Sequence, residues 1–356
     1  MSQAQPEILF ERRGAAGFAT LNRPKALNAV TLGMVRALRR QLDAWARDPA
    51  VTRVIVTAAG GRAFSAGGDI RALYDLGCAG RHSEMLPFWR EEYVLNAFIK
   101  RYPKPYLALI DGIVMGGGVG VSVHGSHRVA GDRFLFAMPE VGIGFFPDVG
   151  ATWLLPRLPG ELGAYCALTG ERLGAGDGVL ATIATHRVSS GRFGELADAL
   201  CGAVSVDATL AAFVEPAGDA PIAAQRGAID RLFRGRRVED ILSALDAAAA
   251  VGGPDARFAG AAATTIRVKS PTSLKLALAQ VRAGASLSFD ACMQTEFRIV
   301  SRIVHGHDFY EGVRAVIIDK DNAPRWRPAT LAAVTDAEVA RHFAPLAPHA
   351  AELELP

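Results

Sequence analysis

Over about the first 190 residues, short apolar runs alternate with stretches of helical period, the pattern of an α/β architecture. Ile8–Phe10 and Gly17–Leu21 read as a pair of strands. From Val30 to Asp48 the apolar positions Met34, Val35, Leu38, Leu42 and Trp45 recur every three to four residues, which predicts a helix that Asp48-Pro49 stops. Arg53–Thr57 is a compact apolar strand. Pro105–Ile110 is apolar throughout, as expected of a strand covered on both faces.

After Val188 the texture changes. Arg192–Val214, Ala223–Phe233, Val238–Ala250 and Asp255–Val268 are alanine-rich and predict helices with short breaks. Ser270-Pro271 opens another through about Ala283, with proline in the first turn, where its missing N–H has no helical partner to lose. Ser288 caps a last one that carries Phe289, Cys292, Phe297, Val300 and Val304. The chain therefore divides into an α/β region, residues 1–190, and a mainly helical region, residues 191–356, without a repeat of fixed period or a low-complexity linker.

Half of the 356 residues are hydrophobic and 21% are charged, enough for a large core and unlike a disordered chain. Thirty-nine basic residues against 36 acidic ones leave +3, too little to predict a nucleic-acid or membrane partner. Cys78, Cys166, Cys201 and Cys292 lie far apart with no CxxC pair, so neither a zinc site nor a disulfide framework is predicted. No apolar run reaches the ~20 residues of a membrane span. Met1–Glu7 lacks the basic and apolar regions of a secretory leader, so a cytoplasmic protein is expected.

Three segments concentrate candidate chemistry. Phe64-Ser65-Ala66-Gly67-Gly68-Asp69-Ile70 follows a strand. Met115-Gly116-Gly117-Gly118-Val119-Gly120 follows Pro105–Ile110 and precedes a helix. Met138 to Gly150 holds Glu140 and Asp148 among Gly, Phe, Ile and Val. Glycine lets a backbone approach a ligand closely, and free N–H groups at a helix start carry partial positive charge. Two such groups meeting at one point would hold an oxyanion, each worth roughly 10²–10³ in rate. Taken singly, either turn is better explained by tight packing. Gly116–Val121 does not fit GxGxxG, no Walker lysine follows, and Ala63 stands where a nucleophile elbow at Ser65 needs glycine. His124 and His127 would share a helix face, with no carboxylate in phase, so no metal site is predicted. Glu140 and Asp148 each follow a proline in apolar surroundings that raise carboxylate pKa values. They suit a nucleophile or base with its acid; a capping Glu and a turn-forming Asp is the alternative.

In order along the chain, Leu21-Asn22-Arg23-Pro24-Lys25-Ala26-Leu27-Asn28-Ala29, SAGGDI, MGGGVG and the Pro139-Glu140 segment resemble the crotonase (enoyl-CoA hydratase/isomerase) superfamily. The likeness runs from about Ile8 to Pro328 and is weakest over Arg192–Val268. It implies a crotonase-like spiral of ββα units with a C-terminal helical region that closes the site. It also implies an acyl-CoA substrate, coenzyme A being part of that substrate and no further cofactor being needed. Carried over by position, the oxyanion donors are the Gly68 and Gly117 amides, and Lys25, Ala26 and Leu27 line the approach of coenzyme A. Ala66, Asp69 and Ile70 flank its adenine and pantetheine. Hydratases of the superfamily use two glutamates; Gly120 stands at the first of those positions and Glu140 at the second, while Asp148 fills the position used by the hydrolase branch. The resemblance therefore implies thioester hydrolysis, with Glu140 attacking the carbonyl or activating water, Asp148 relaying a proton and Glu92 contacting a substrate hydroxyl. Double-bond isomerisation or hydration is the alternative, and RNA binding, known for some relatives, is disfavoured by the near-neutral charge. A homo-oligomer is compatible with the resemblance.

Overall fold

The computed structural model describes residues 5–202, 205–347 and 350–355; part of the Met1–Glu7 segment, read above for a secretory leader, lies outside them. A hairpin of β1 (Ile8–Arg13) and β2 (Ala16–Leu21) starts the fold, with Ile8 opposite Leu21. Three pairs of strands follow: β3 (Arg53–Ala58) with β4 (Ala63–Ser65), β5 (Tyr106–Ile110) with β6 (Ile113–Met115), and β7 (His127–Ala130) with β8 (Leu135–Ala137). The first member of each pair extends a six-stranded sheet in the order β1-β2-β3-β5-β7-β9, closed by β9 (His186–Arg187). The second members form a separate three-stranded sheet, β4-β6-β8. From β2 onward every pairing is parallel. The chain thus climbs two sheets at once, one ββα unit at a time. The helical inserts between units differ so much in length that no fixed period marks the repeat in the sequence.

The first helix is Leu32–Arg47, two residues shorter at its start than the apolar period predicts. Val30 is instead bridged to Gly68, its N–H donating to Gly67 O at 2.8 Å and its carbonyl accepting from Asp69 N at 2.9 Å. The Thr31 hydroxyl then caps the helix. A 19-residue helix, His82–Lys100, is not anticipated by the pattern. Pro87 lies inside it, and its buried face is wide, reaching from Phe88 and Leu95 round to Ala97 and including polar Glu92 and Asn96, so no clean amphipathic stripe marks it. The glycine run after β6 opens only one helical turn, Gly117–Gly120.

The expected helix Arg192–Val214 is two shorter ones, Phe193–Ala199 and Val206–Ala211. Between them the chain is pinned to the β1–β2 hairpin, where Ala15 N donates to Cys201 O at 2.9 Å. Their apolar residues, Leu196, Leu200, Val206 and Leu210, cover one face of the large sheet together with Phe18, Ile55, Leu107 and Val129. The other predicted helices are found: Ile222–Leu232, Val238–Val251, Ala256–Arg267, Pro271–Gly284 capped by Ser270, and Phe289–Ile303 capped by Ser288. The principal core runs through both regions, from Ile8 and Leu21 to Phe297 and Phe309. None of the helices among the described residues is long and apolar enough to cross a membrane.

Candidate active site

Parallel pairing in the small sheet aligns three strand ends. Ser65 pairs with Val114, and Met115 pairs with Ala137, so β4, β6 and β8 stop side by side. The residues that follow each strand, Ala66-Gly67-Gly68, Gly116-Gly117 and Met138-Pro139-Glu140, leave from one edge, the carboxyl edge at which parallel sheets place ligands. Segments that are 50 residues apart in the chain become neighbours through register alone.

The first two turns touch. Gly67 and Gly116 have φ of +120° and +44°, conformations that favour glycine. A Cβ placed on Gly117 would lie 3.3 Å from the Gly68 nitrogen, which puts the two amide nitrogens no more than about 6 Å apart. In the parallel bridge to Val30, the flanking Gly67 carbonyl and Asp69 amide are used, so the Gly68 N–H points away from that bridge. Neither the Gly68 nor the Gly117 amide donates to an acceptor among the described residues.

These amides line a cavity of about 760 Å³ that also exposes Glu92, Glu140 and Asp148. All three carboxyl groups are buried, and Glu92 Oε1 and Glu140 Oε2 have no hydrogen-bond partner among the described residues. Burial, and then the charge of Asp148, pushes Glu140 well above the ordinary carboxylate range. Glu92 is raised in the same way, by burial and then by Asp148 and Glu296. Asp148 is pushed up only to about 7, because Tyr93 Oη donates to its Oδ2 at 2.8 Å and opposes the burial. Burial and the neighbouring Asp148 thus favour the protonated form of Glu140, while the Tyr93 hydroxyl favours the ionised form of Asp148. Phe88, Trp89, Phe145 and Ile143 supply the apolar wall that enforces this.

The Asp148 segment is held from behind by side chains that the sequence did not single out for that purpose. Val149 has φ +54°, a strained value for a β-branched residue, and Gly150 follows at +91°. Gln280 donates to Pro147 O, and His124 Nε2 meets Val149 O at 2.6 Å. Glu296, fully buried, accepts from Gly150 N and Thr152 N, each at 2.8 Å. Burial holds His124 down to about 4, so it stays neutral and donates. Gln280 and Glu296 come from the helical C-terminal region; only proximity in space ties them to residue 148.

Of the residues expected here, Gly68, Gly117, Glu92, Glu140, Asp148, Ala26, Ala66, Asp69 and Ile70 line the one cavity. Lys25 and Leu27 do not. Lys25 is exposed, and Leu27, at φ +50°, uses its carbonyl to accept Ala66 N at 3.0 Å and so ties the two loops together. Asn28 fixes the same turn through its side-chain amide, which donates to Ala59 O and Ala63 O. Asp69 caps the helix Ile70–Cys78 and pairs with Arg23 at 2.9 Å. His124 and His127 do not share a helix face: His127 lies on β7 and meets Asp207 at 2.9 Å. At Gly120 a Cβ would lie 2.7 Å from Asn96 Nδ2 and 3.0 Å from Val149 Cβ, so the packing leaves no room for a side chain. Glu92 instead reaches the amide turn from the helix His82–Lys100, its Oε1 2.6 Å from where a Cβ of Gly117 would stand. That helix, and with it the placement of Glu92, is what the sequence pattern concealed.

The profile of the enoyl-CoA hydratase/isomerase family matches residues 16–343. The 3-hydroxyisobutyryl-CoA hydrolase of Danio rerio, named as mitochondrial, is 47% identical over 355 residues, 97% of this chain and 91% of that protein. Two solved structures share the fold. A carnitinyl-CoA dehydratase from Mycobacterium thermoresistibile has a TM-score of 0.91 at 44% identity, covering 98% of this chain and 99% of that one. An enoyl-CoA hydratase from Rhodobacter sphaeroides has a TM-score of 0.90 at 39% identity, covering 98% and 100%.

Proposed function

The chain belongs to the enoyl-CoA hydratase/isomerase family, and on that premise we propose that it is an acyl-CoA thioester hydrolase acting on 3-hydroxyisobutyryl-CoA, an intermediate of valine breakdown. The observation that carries this reading is the carboxylate arrangement. Glu140 and Asp148 share one cavity with two unpartnered glycine amides, whereas position 120 has no room for the second glutamate of a hydratase. The likeness to the Danio rerio hydrolase supports it.

The chemistry follows from the acidities. Asp148 takes the proton of Glu140, which then attacks the thioester carbonyl carbon. The charge that develops on the carbonyl oxygen is received by the Gly68 and Gly117 N–H groups. Collapse breaks the carbon–sulfur bond, and the departing thiolate takes the proton from Asp148, leaving a mixed anhydride on Glu140. Asp148, again ionised, accepts a proton from water as the water oxygen attacks the anhydride. The acid product leaves, and the proton on Asp148 returns to Glu140. Glu92 would accept the substrate 3-hydroxyl, and an acyl group without that hydroxyl would leave a buried acceptor unpaired.

Hydration or dehydration is the second reading, because Glu92 supplies a second glutamate beside the amide turn and both solved relatives carry such names. A panel of acyl-CoA and enoyl-CoA thioesters separates the two. Free-thiol release that is fastest on 3-hydroxyisobutyryl-CoA supports hydrolysis; loss of enoyl absorbance without thiol release refutes it. A cytoplasmic location is part of this proposal, beside a fish relative named mitochondrial, and cell fractionation decides it.

A further inference from the structure

Seven ionisable side chains line the cavity: Arg23, Asp69, Arg71, Glu92, Glu140, Asp148 and Lys269. Arg23 is already neutralised, by Asp69 at 2.9 Å and Glu7 at 3.0 Å. Lys269 is not. It sits in the short link between the helices Ala256–Arg267 and Pro271–Gly284, is half-buried, and has no hydrogen-bond or ion-pair partner among the described residues.

The backbone aims this ammonium into the cavity and keeps it there. Lys269 N donates to Ile266 O at 3.0 Å, and the next amide, Ser270 N, donates to Val141 O at 3.2 Å, inside the turn that begins with Glu140. On the other side Trp326 Nε1 donates to Val268 O at 3.0 Å. The Lys269 Nζ lies 3.4 Å from where a Cβ on Gly142 would stand, so glycine at 142 leaves the space in which the head group rests. A half-buried cation without a counter-ion opposes folding unless a ligand supplies the missing charge.

We propose that Lys269 binds a phosphate of the coenzyme A portion of the substrate, setting affinity for that handle and leaving the rate of bond cleavage unchanged. The inference rests on the acyl-CoA reading given above. An acyl-CoA is neutral where it reacts and polyanionic at its far end. The cavity offers an unpaired ammonium for the anionic end, besides the carboxyl groups and free amides that suit the reacting end. Burial lowers the Lys269 ammonium, and none of the carboxyl groups that line the cavity forms an ion pair with it among the described residues.

The test compares Lys269→Gln and Lys269→Arg with the unaltered enzyme on three thioesters of one acyl group, made with coenzyme A, dephospho-coenzyme A and pantetheine. Lys269→Gln should raise KM for the coenzyme A thioester about tenfold or more, with kcat within about threefold, and Lys269→Arg should restore most of the affinity. The pantetheine thioester has no phosphate, so its KM should be the same in all three proteins. Dephospho-coenzyme A identifies the phosphate: an effect that persists on it points to the diphosphate, and one that vanishes points to the ribose phosphate. An equal loss on pantetheine, a fall in kcat, or no change on coenzyme A overturns the role of Lys269. If the unaltered enzyme releases no thiol from any of the three, it is the hydrolase reading that fails.

Discussion

The Tyr93 hydroxyl donates to Asp148 Oδ2 at 2.8 Å, and both side chains are buried. This bond stabilises the ionised form of Asp148 in a cavity whose apolar wall otherwise favours the acid. Burial raises Asp148 to about 7 and this bond opposes the rise, whereas Glu140 has no such donor and is driven well above the carboxylate range. The proposed cleavage needs Asp148 ionised, so on that proposal kcat/KM should rise with pH on a limb centred near 7. Tyr93→Phe removes the donor, and the limb should move up by about one pH unit. Thiol release followed from pH 5 to 9 measures this, and an unmoved limb would show that Asp148 does not govern it.

Glu140→Gln keeps the shape of the side chain and removes the attacking oxygen. We expect kcat to fall by at least ~10³ while acyl-CoA still binds within a few-fold of the unaltered affinity by calorimetry. Turnover within tenfold of the unaltered enzyme would mean Glu140 is not the nucleophile.

Asp148 also makes stability depend on pH. Its folded pKa of about 7 lies above the ~3.9 of an exposed aspartate, so the native state holds that proton more tightly. The resulting stabilisation is complete below pH ~4 and is lost as pH rises through 7. Asp148→Asn carries no charge to bury, so its Tm relative to the unaltered protein should climb between pH 5 and pH 8. A Tm difference that stays flat over that range contradicts the buried-carboxylate account.

Gly117 is held as glycine by its neighbours. A methyl group there would stand 2.6 Å from Glu92 Oε1 and 3.3 Å from Gly68 N, inside the space between the two amides. Gly117→Ala should lower kcat by about 10² or more, the scale of one oxyanion donor, while circular dichroism shows a folded protein. Retained kcat in a folded variant would place the oxyanion elsewhere.

Much of this protein was legible before the fold was known. The antiparallel start, the first helix, the buried strands β3 and β5 and most C-terminal helices follow from period and capping, because each depends on neighbours within a few residues. What was missed had a physical reason in each case. Pro87 and the many buried positions of His82–Lys100 obscured its stripe, and Arg192–Val214 is not one continuous helix but two short ones.

By itself the sequence determined which residues could do chemistry: glycines able to bare an amide, two carboxyls after prolines in apolar company, and no glutamate at position 120. Only the tertiary structure decided that these lie together. The register of three short parallel strands ends them at one edge, and helices from distant parts of the chain bring Tyr93, Gln280 and Glu296 onto the Asp148 loop and Lys269 into the cavity. An acidity near 7 arises from burial and from a single hydroxyl 55 residues away, and such long-range proximity leaves no period or motif in a linear chain.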